Sequence, residues 1–549
     1  MAATLTGDDG HGAARWLYWV RLVAALLLLN ASLTFANLWP TPAVTWRGQL
    51  SIELAVFVLG LLGVSRQPGR PSARARRRIV SVWLLLVLGR YLLVTAPALW
   101  GRELNFYWDL RFLPDVAGMI AGAAPVWILA LAVAGLILAF QLVRWLVRRA
   151  MNWLCDAATA PGPRVVMAAA GGLVVALYFM QPATVDEYER LPLFTPTVTG
   201  AYAGQVRLVA KAITGLHGLP DSPPFDSNLS RVQGADVLLV FLESYGAVAY
   251  ETPAFSQRLT PSRAALETSI RESGKGVVSA FVQSPTFGGS SWFAHVTLLS
   301  GIDIRDPDAN ALLMTKRRDT LSTMFGRHGY RAIAVMPGLR SPWPEGAFYG
   351  FNEIYNLNRL AYTGPTFGWW NLTDQFVLAK LDALEIDRTS RPPVFVFMPT
   401  VSTHMPFAPT PPYQPDWSRM LTDQPYDEAD VDRAYYNPPD WLDLGPSYTD
   451  AVAYAYDTIG GYVRKHAGGD FVMILIGDHQ PPALVSGDGA PWDVPVHVIA
   501  NRRDILDLLV GQGFRDGMAP SRPSLGPMST LTPILLDAFG SRDTANAAR

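Results

Sequence analysis

"FVMILIGDHQPP", residues 471–482, is six apolar residues, a glycine, and then Asp478 and His479. An unbroken apolar run of this length, closed by a turn, fits a strand buried on both of its faces. Five other runs share the character: 236–243 "DVLLVFLE", 276–282 "GVVSAFV", 331–336 "RAIAVM", 393–398 "PVFVFM" and 494–500 "VPVHVIA". Helical segments separate them. One is predicted over 319–328, with Asp319 as N-cap and Gly329 past its end, and another begins at Thr532-Pro533. The alternation predicts an α/β domain built on a mainly parallel sheet with helices on both sides.

In such sheets chemistry collects beyond the carboxyl ends of the strands. Here Glu243 ends the first run, and Gly288-Gly289-Ser290-Ser291 follows the second. His404 follows the run at 393–398, in "TVSTHMPF", and Asp478 and His479 close the run that opened this section. A lone acidic residue after a strand is ordinarily a cap, and an Asp-His pair is weak by itself. Four polar ends meeting on one sheet edge predict a site. Two carboxylates and an imidazole fit one divalent ion, Mn²⁺ or Zn²⁺, because an imidazole ligand favours transition metals over Mg²⁺. A hydroxyl beside such an ion becomes a nucleophile.

The hydroxyl is sought in "TFGGSSWFAHVTLLSG", residues 286–301. Its plainer reading is turn and N-cap chemistry before a helix. Its functional reading places a serine where helix N–H groups meet a developing phosphoryl charge. His295, one helical turn beyond Ser291, either faces the site or packs in the helix. His497, inside an apolar run, reads as a core residue. His217, His328 and His466 read as solvated, and Asp457 as structural.

The rest of the chain is different in kind. Of 549 residues, half are hydrophobic and only 17% charged, and the net charge is −1, which supports no nucleic-acid partner. The single Cys155 excludes an intrachain disulfide. The charge deficit lies in the first third, where apolar stretches at about 16–37, 50–65, 79–99, 116–143 and 164–181 predict five membrane spans. Arg66, Arg70, Arg74 and Arg76–Arg78 follow the second stretch, and Arg144, Arg148, Arg149 and Arg164 follow the fourth. By the positive-inside rule both loops are cytoplasmic, so the N-terminus is inside and everything past about residue 182 is outside. Residues 100–115 suit an interfacial helix on the outer face. The domains are thus 1–182, a five-helix membrane domain; 183–230, a proline-rich linker with a short helix near 203–215; and 231–549, the outer catalytic domain.

At these residues the chain resembles the alkaline phosphatase superfamily, in its membrane-anchored sulfatase-like branch, which includes lipoteichoic acid synthases and phosphoethanolamine transferases. "FLES" puts Glu243 at the family's first metal ligand, and "GDHQ" puts Asp478 and His479 at the other two. The family's nucleophile opens a helix with a glycine ten residues on; Gly301, in "LLSG", stands ten after Ser291 and eleven after Ser290. The resemblance therefore makes Ser291 the nucleophile and a further metal ligand. "STHMPF" resembles the family's Asn-His-aromatic-Pro segment and puts His404 near the substrate phosphate. In "SPWPEGAFYGF" Trp343 falls at the synthases' headgroup-pocket tryptophan, but Glu345 stands where their pattern has Arg and Met336 where it has His. Arg340 would restore positive charge.

The resemblance implies a transferase of the bacterial cytoplasmic membrane. It would move a phospholipid headgroup phosphoryl unit, phosphoglycerol or phosphoethanolamine, onto an envelope glycan or lipid acceptor through a covalent serine ester. The alternative is a hydrolase of the same fold, with water as acceptor. A formylglycine sulfatase is disfavoured, since Phe293 and His295 replace the Pro/Ala and Arg which that modification needs. A binding protein with a decayed site is disfavoured by the complete Glu-Ser-Asp-His set.

Overall fold

The computed structural model describes residues 9–38, 41–64, 71–100, 117–118, 125–180, 193–214, 219–339, 343 and 345–541. They fall into two compact units, one drawn almost entirely from residues before Thr214 and one from Thr214 onward.

The first unit holds four helices long and apolar enough to cross a membrane: Trp16–Thr34, Ala73–Leu99, Val126–Ala157 and Pro161–Met180. The second predicted span is a helix of only 13 residues, Ile52–Val64. At 1.5 Å per residue it covers about 20 Å, less than the roughly 30 Å of a hydrocarbon core. Residues at both of its ends bond to segments far along the chain. Before it, the Leu50 N–H donates to the Leu193 carbonyl at 2.8 Å; near its close, Arg164 Nη2, in the first turn of helix Pro161–Met180, donates to the Leu62 carbonyl at 3.0 Å. Between the first helix and this one, the short strands β1 (Phe35–Asn37) and β2 (Val44–Trp46) pair antiparallel.

Two expectations change here. Residues 144–157 are not a loop: the helix from Val126 continues to Ala157, burying Val147, Met151, Leu154 and Cys155 against Leu22, Ala25 and Leu29 of the first helix. Arg144, Arg148 and Arg149 thus ride on the helix itself. The helix expected near 203–215 runs Val198–Thr214, and its Tyr202 hydroxyl donates to the Leu85 carbonyl at 2.7 Å, so it belongs to this unit's packing. The interfacial segment 100–115 lies, apart from Trp100, outside the described residues, as do Arg66, Arg70 and His217.

The second unit is an α/β domain around an eight-stranded sheet. Its strands are β3 (Asp236–Leu242), β4 (Gly276–Gln283), β5 (Arg331–Met336), β6 (Glu353–Asn356), β7 (Val394–Pro399), β8 (Phe471–Gly477), β9 (Asp493–Ala500) and β10 (Arg515–Asp516). They lie in the order β10-β4-β9-β8-β3-β7-β5-β6. Neighbours from β8 to β6 are parallel, whereas β9 is antiparallel to both β8 and β4. Two reversals restore direction, so β3, β4, β7 and β8 all end on the same edge.

The apolar runs are unbroken because each residue has a core to enter. In β3, Val237, Leu239 and Phe241 face one hydrophobic cluster while Leu238, Val240 and Leu242 face the other. Helices Trp292–Ser300, Leu321–Arg327, Arg503–Gly511 and Leu531–Phe539 cover the first face. Pro253–Glu272, Asp374–Leu381 and Gly445–Lys465 cover the second. Helix starts differ slightly from expectation. Thr320, not Asp319, caps Leu321–Arg327, in a reciprocal bond with Thr323. The last helix begins at Leu531, one residue before Thr532, after a 3₁₀ turn at Met528–Thr530.

Candidate active site

The edge where β3, β4, β7 and β8 end carries the polar residues. Glu243, directly after β3, and Asp478 and His479, directly after β8, bring their ligand atoms within 4.8 Å of one another. The Ser291 hydroxyl joins them, 3.1 Å from Glu243 Oε2 and 3.2 Å from His479 Nε2.

Local backbone geometry selects Ser291 over Ser290. Gly288, Gly289 and Ser290 have φ of 64°, 144° and 63°, three successive residues in the half of the map that disfavours side chains. This reversal turns the chain into helix Trp292–Ser300 with Ser291 at its N-cap, and the Ser291 hydroxyl makes no capping bond. Serine at the cap would ordinarily satisfy a helix N–H. Here its oxygen is directed to the carboxylate and imidazole instead. The loop itself is tied to β8: the Ser284 hydroxyl donates to the Asp478 carbonyl at 2.5 Å, and the Gly288 N–H to the Gln480 carbonyl at 3.2 Å.

The donor set fits a divalent cation. Asp478 Oδ1 accepts from the Ser244 and His479 backbone N–H groups at 2.8 and 2.7 Å, while Oδ2 is buried with no hydrogen-bond partner. Such an orphaned carboxylate oxygen is costly unless a cation or proton meets it. His479 Nδ1 lies 2.7 Å from the Gln480 carbonyl, which can only accept, so Nδ1 carries a proton and Nε2 is the nitrogen that would ligate a cation. Without a cation, the electrostatics favour protons in its place. Burial first, and Glu243 next, push the Asp478 carboxyl well above the usual range. Burial opposes charge on His479, but Asp478 and Glu243 outweigh it and hold the imidazole at about 9. Glu243, despite burial, is drawn down by His479 and then His404. A bound cation would take over the role these protons fill.

Close backbone approach makes this convergence possible. A Cβ on Gly477 would sit 1.8 Å from the Tyr245 carbonyl oxygen. Gly477→Ala is therefore expected to separate the loops carrying Glu243 and Asp478, costing about 2–3 kcal/mol and most divalent-metal affinity. An unfolding midpoint and metal titration matching the unaltered protein would refute this.

His404 sits in the turn after β7, its Nδ1 2.7 Å from the Met405 carbonyl and its ring 6.0 Å from Trp370, edge to face. That carbonyl fixes the tautomer as before and leaves Nε2 available. The turn is held by Asp374, whose carboxylate accepts the Val401 and Ser402 N–H groups at 2.8 and 3.0 Å. Burial, with a smaller push from Glu243, raises Asp374 to about 6 against those bonds.

Other predicted residues are placed differently. His295 is buried in a cage of Phe241 and Phe397, at 4.7 and 5.2 Å between centroids, and burial lowers it to about 3. It is a neutral core imidazole that adjoins the site's floor. Trp343 leans on Tyr349 at 5.2 Å, and Tyr349, Phe351 and Phe397 continue the aromatic packing toward His295. Arg340 lies outside the described residues. His497 is core, bonded to Ser279 and to the Tyr245 and Tyr250 hydroxyls. His466 is not solvated: it bonds buried Asp382 at 2.9 Å and packs on Tyr462.

Residues 306–493 match the Sulfatase family model. No curated protein sequence matches the chain. Among solved structures, the lipoteichoic acid synthase LtaP from Listeria monocytogenes is similar, with 15% identity over 61% of this chain and 80% of its own and a TM-score of 0.38. The phosphoglycerol transferase GacH from Streptococcus pyogenes, solved with sn-glycerol-1-phosphate, gives 13% over 62% and 81%, at 0.35. The periplasmic domain of the phosphoethanolamine transferase EptC from Campylobacter jejuni gives 11% over 56% and 89%, at 0.36. Residues 306–493 are thus sulfatase-like.

Proposed function

We propose that this sulfatase-like enzyme transfers a phospholipid headgroup phosphoryl unit, phosphoglycerol or phosphoethanolamine, to an envelope glycan or lipid, using Ser291 as nucleophile. The observation that carries the proposal is the Ser291 hydroxyl, released from capping and held between Glu243 and His479. Ser291 Oγ forms a bond to phosphorus, the bond to the lipid alcohol breaks, and the leaving oxygen takes up a proton. An acceptor hydroxyl then attacks the serine ester and restores Ser291.

Glu243, Asp478, His479 and Ser291 would hold one Mn²⁺ or Zn²⁺, which would supply Lewis-acid stabilisation of phosphoryl charge and favour ionisation of the serine. Glu243 and His479 lie within reach of the serine proton. His404, kept in place by Asp374, presents Nε2 to the donor phosphate, and Trp343 belongs to the headgroup side. His295 supports Ser291 from beneath.

The placement that suits a lipid donor is the outer face of the cytoplasmic membrane, with the catalytic unit periplasmic or extracellular. The arginines near the second, third and fourth helices support this orientation, and the apolar helices supply the anchor. Spheroplasts carrying phospholipid labelled in its headgroup phosphate test both parts. Chain-dependent label on an envelope glycan or lipid is expected. Label released only as free headgroup phosphate would instead establish the hydrolase, and label confined to the cytoplasm would refute the outward orientation.

A further inference from the structure

We propose that Tyr436, Trp441 and Leu442 form a bilayer-facing ridge that seats the catalytic unit on zwitterionic lipid headgroups beside its active edge. This deepens the lipid-donor reading and rests on it. Five of the eight exposed large apolar side chains described in the second unit fall between residues 421 and 442. Tyr436 is 88% exposed, Leu442 95% and Trp441 50%. Such a concentration is unusual for a solvated face, and Trp with Tyr is the composition that settles at a membrane–water interface.

The ridge is built to project. Asp440 Oδ1 accepts the Leu442 N–H at 2.9 Å and the Asp440 carbonyl accepts the Asp443 N–H at 3.1 Å, a tight turn with Trp441 and Leu442 at its tip. Pro438 and Pro439 stiffen its approach. The ridge also adjoins the site. Tyr435, at the end of helix Glu428–Tyr435, stacks on Phe367 at 5.6 Å and donates to the Thr366 carbonyl at 2.8 Å. The same loop ends in Trp370, which packs against His404.

Charge decides which lipid. Residues 427–443 hold six acidic side chains and one basic, Arg433, and Asp440 and Asp443 flank the Trp-Leu pair. Carboxylates there complement the ammonium of a zwitterionic headgroup and repel an anionic leaflet. The same chain carries helices long and apolar enough to cross a membrane.

The test uses the full chain in nanodiscs, with Cys155→Ser and an environment-sensitive fluorophore on Leu442→Cys, against a control on Asp507→Cys, an exposed helix position. In phosphatidylcholine, emission at 442 is expected to shift to the blue and to be quenched at least threefold more by nitroxide-bearing lipid than at 507. Phosphatidylglycerol at low salt is expected to halve that quenching. Water-like emission at 442 overturns the proposal. So does a blue shift without lipid quenching, the mark of a second copy or another protein covering the ridge, and so does quenching indifferent to headgroup charge. The readout needs no turnover, so an enzyme that fails to transfer phosphoryl groups leaves it interpretable.

Discussion

Ser291→Ala is expected to lower turnover of a phospholipid donor by about 10³-fold or more, because removing the nucleophile leaves only binding and electrostatic assistance. The same variant should bind the donor and lack the covalent ester that peptide mass spectrometry is expected to locate on Ser291 in the unaltered enzyme. The control is Ser290→Gly. Ser290 occupies left-handed backbone at φ 63°, which glycine adopts without strain, whereas alanine there would confuse loss of a hydroxyl with loss of geometry. Ser290→Gly is expected to keep activity within about threefold, because glycine preserves the left-handed backbone and removes only the hydroxymethyl group. An adduct on Ser290, or full turnover by Ser291→Ala, would remove the two-step mechanism.

The count of ten residues from Ser291 to Gly301 and the geometry point to the same serine for different reasons. The count comes from a resemblance; the geometry comes from a loop whose positive-φ residues spend their freedom on the reversal, leaving Ser291 the first side chain to face the edge. Glu243, Asp478 and His479 were legible because each directly ends an apolar run, and strand direction alone brings such ends together. His404 lies in the turn beyond β7, so the same strand direction places it on that side of the sheet.

Asp374 was not. In "NLTDQF" it reads as an ordinary first-turn acid behind the Thr373 N-cap, and nothing local reveals that its carboxylate grips backbone 27 residues away. His295 was ambiguous because one helical turn can face either way; the aromatic side chains of β3 and β7 settle its ring in the core. The short second helix was legible as apolar but not as sufficient. Its place becomes clear only from bonds to residues far along the chain, Leu193 before it and Arg164 near its close.

Asp478→Asn is the second large effect. The asparagine carbonyl oxygen can take the place of Oδ1 and accept the Ser244 and His479 N–H groups, so the turn after β8 should keep its shape. The amide nitrogen then stands where buried, unpartnered Oδ2 stood, and presents hydrogens toward the cation instead of a lone pair. Divalent-metal affinity is expected to fall by at least about 100-fold, with activity falling alongside it. Stability should move in two directions. Without metal, the variant loses a buried carboxyl that crowds Glu243 and should unfold at an equal or higher denaturant concentration than the unaltered protein. With saturating Mn²⁺ or Zn²⁺ the order should reverse, since only a protein that binds the ion gains from it. Metal analysis and paired denaturant titrations read both effects. Unchanged metal content would refute Asp478 as a ligand. A variant destabilised equally with and without metal would make Asp478 a residue that holds the turn, and the cation would then need another oxygen.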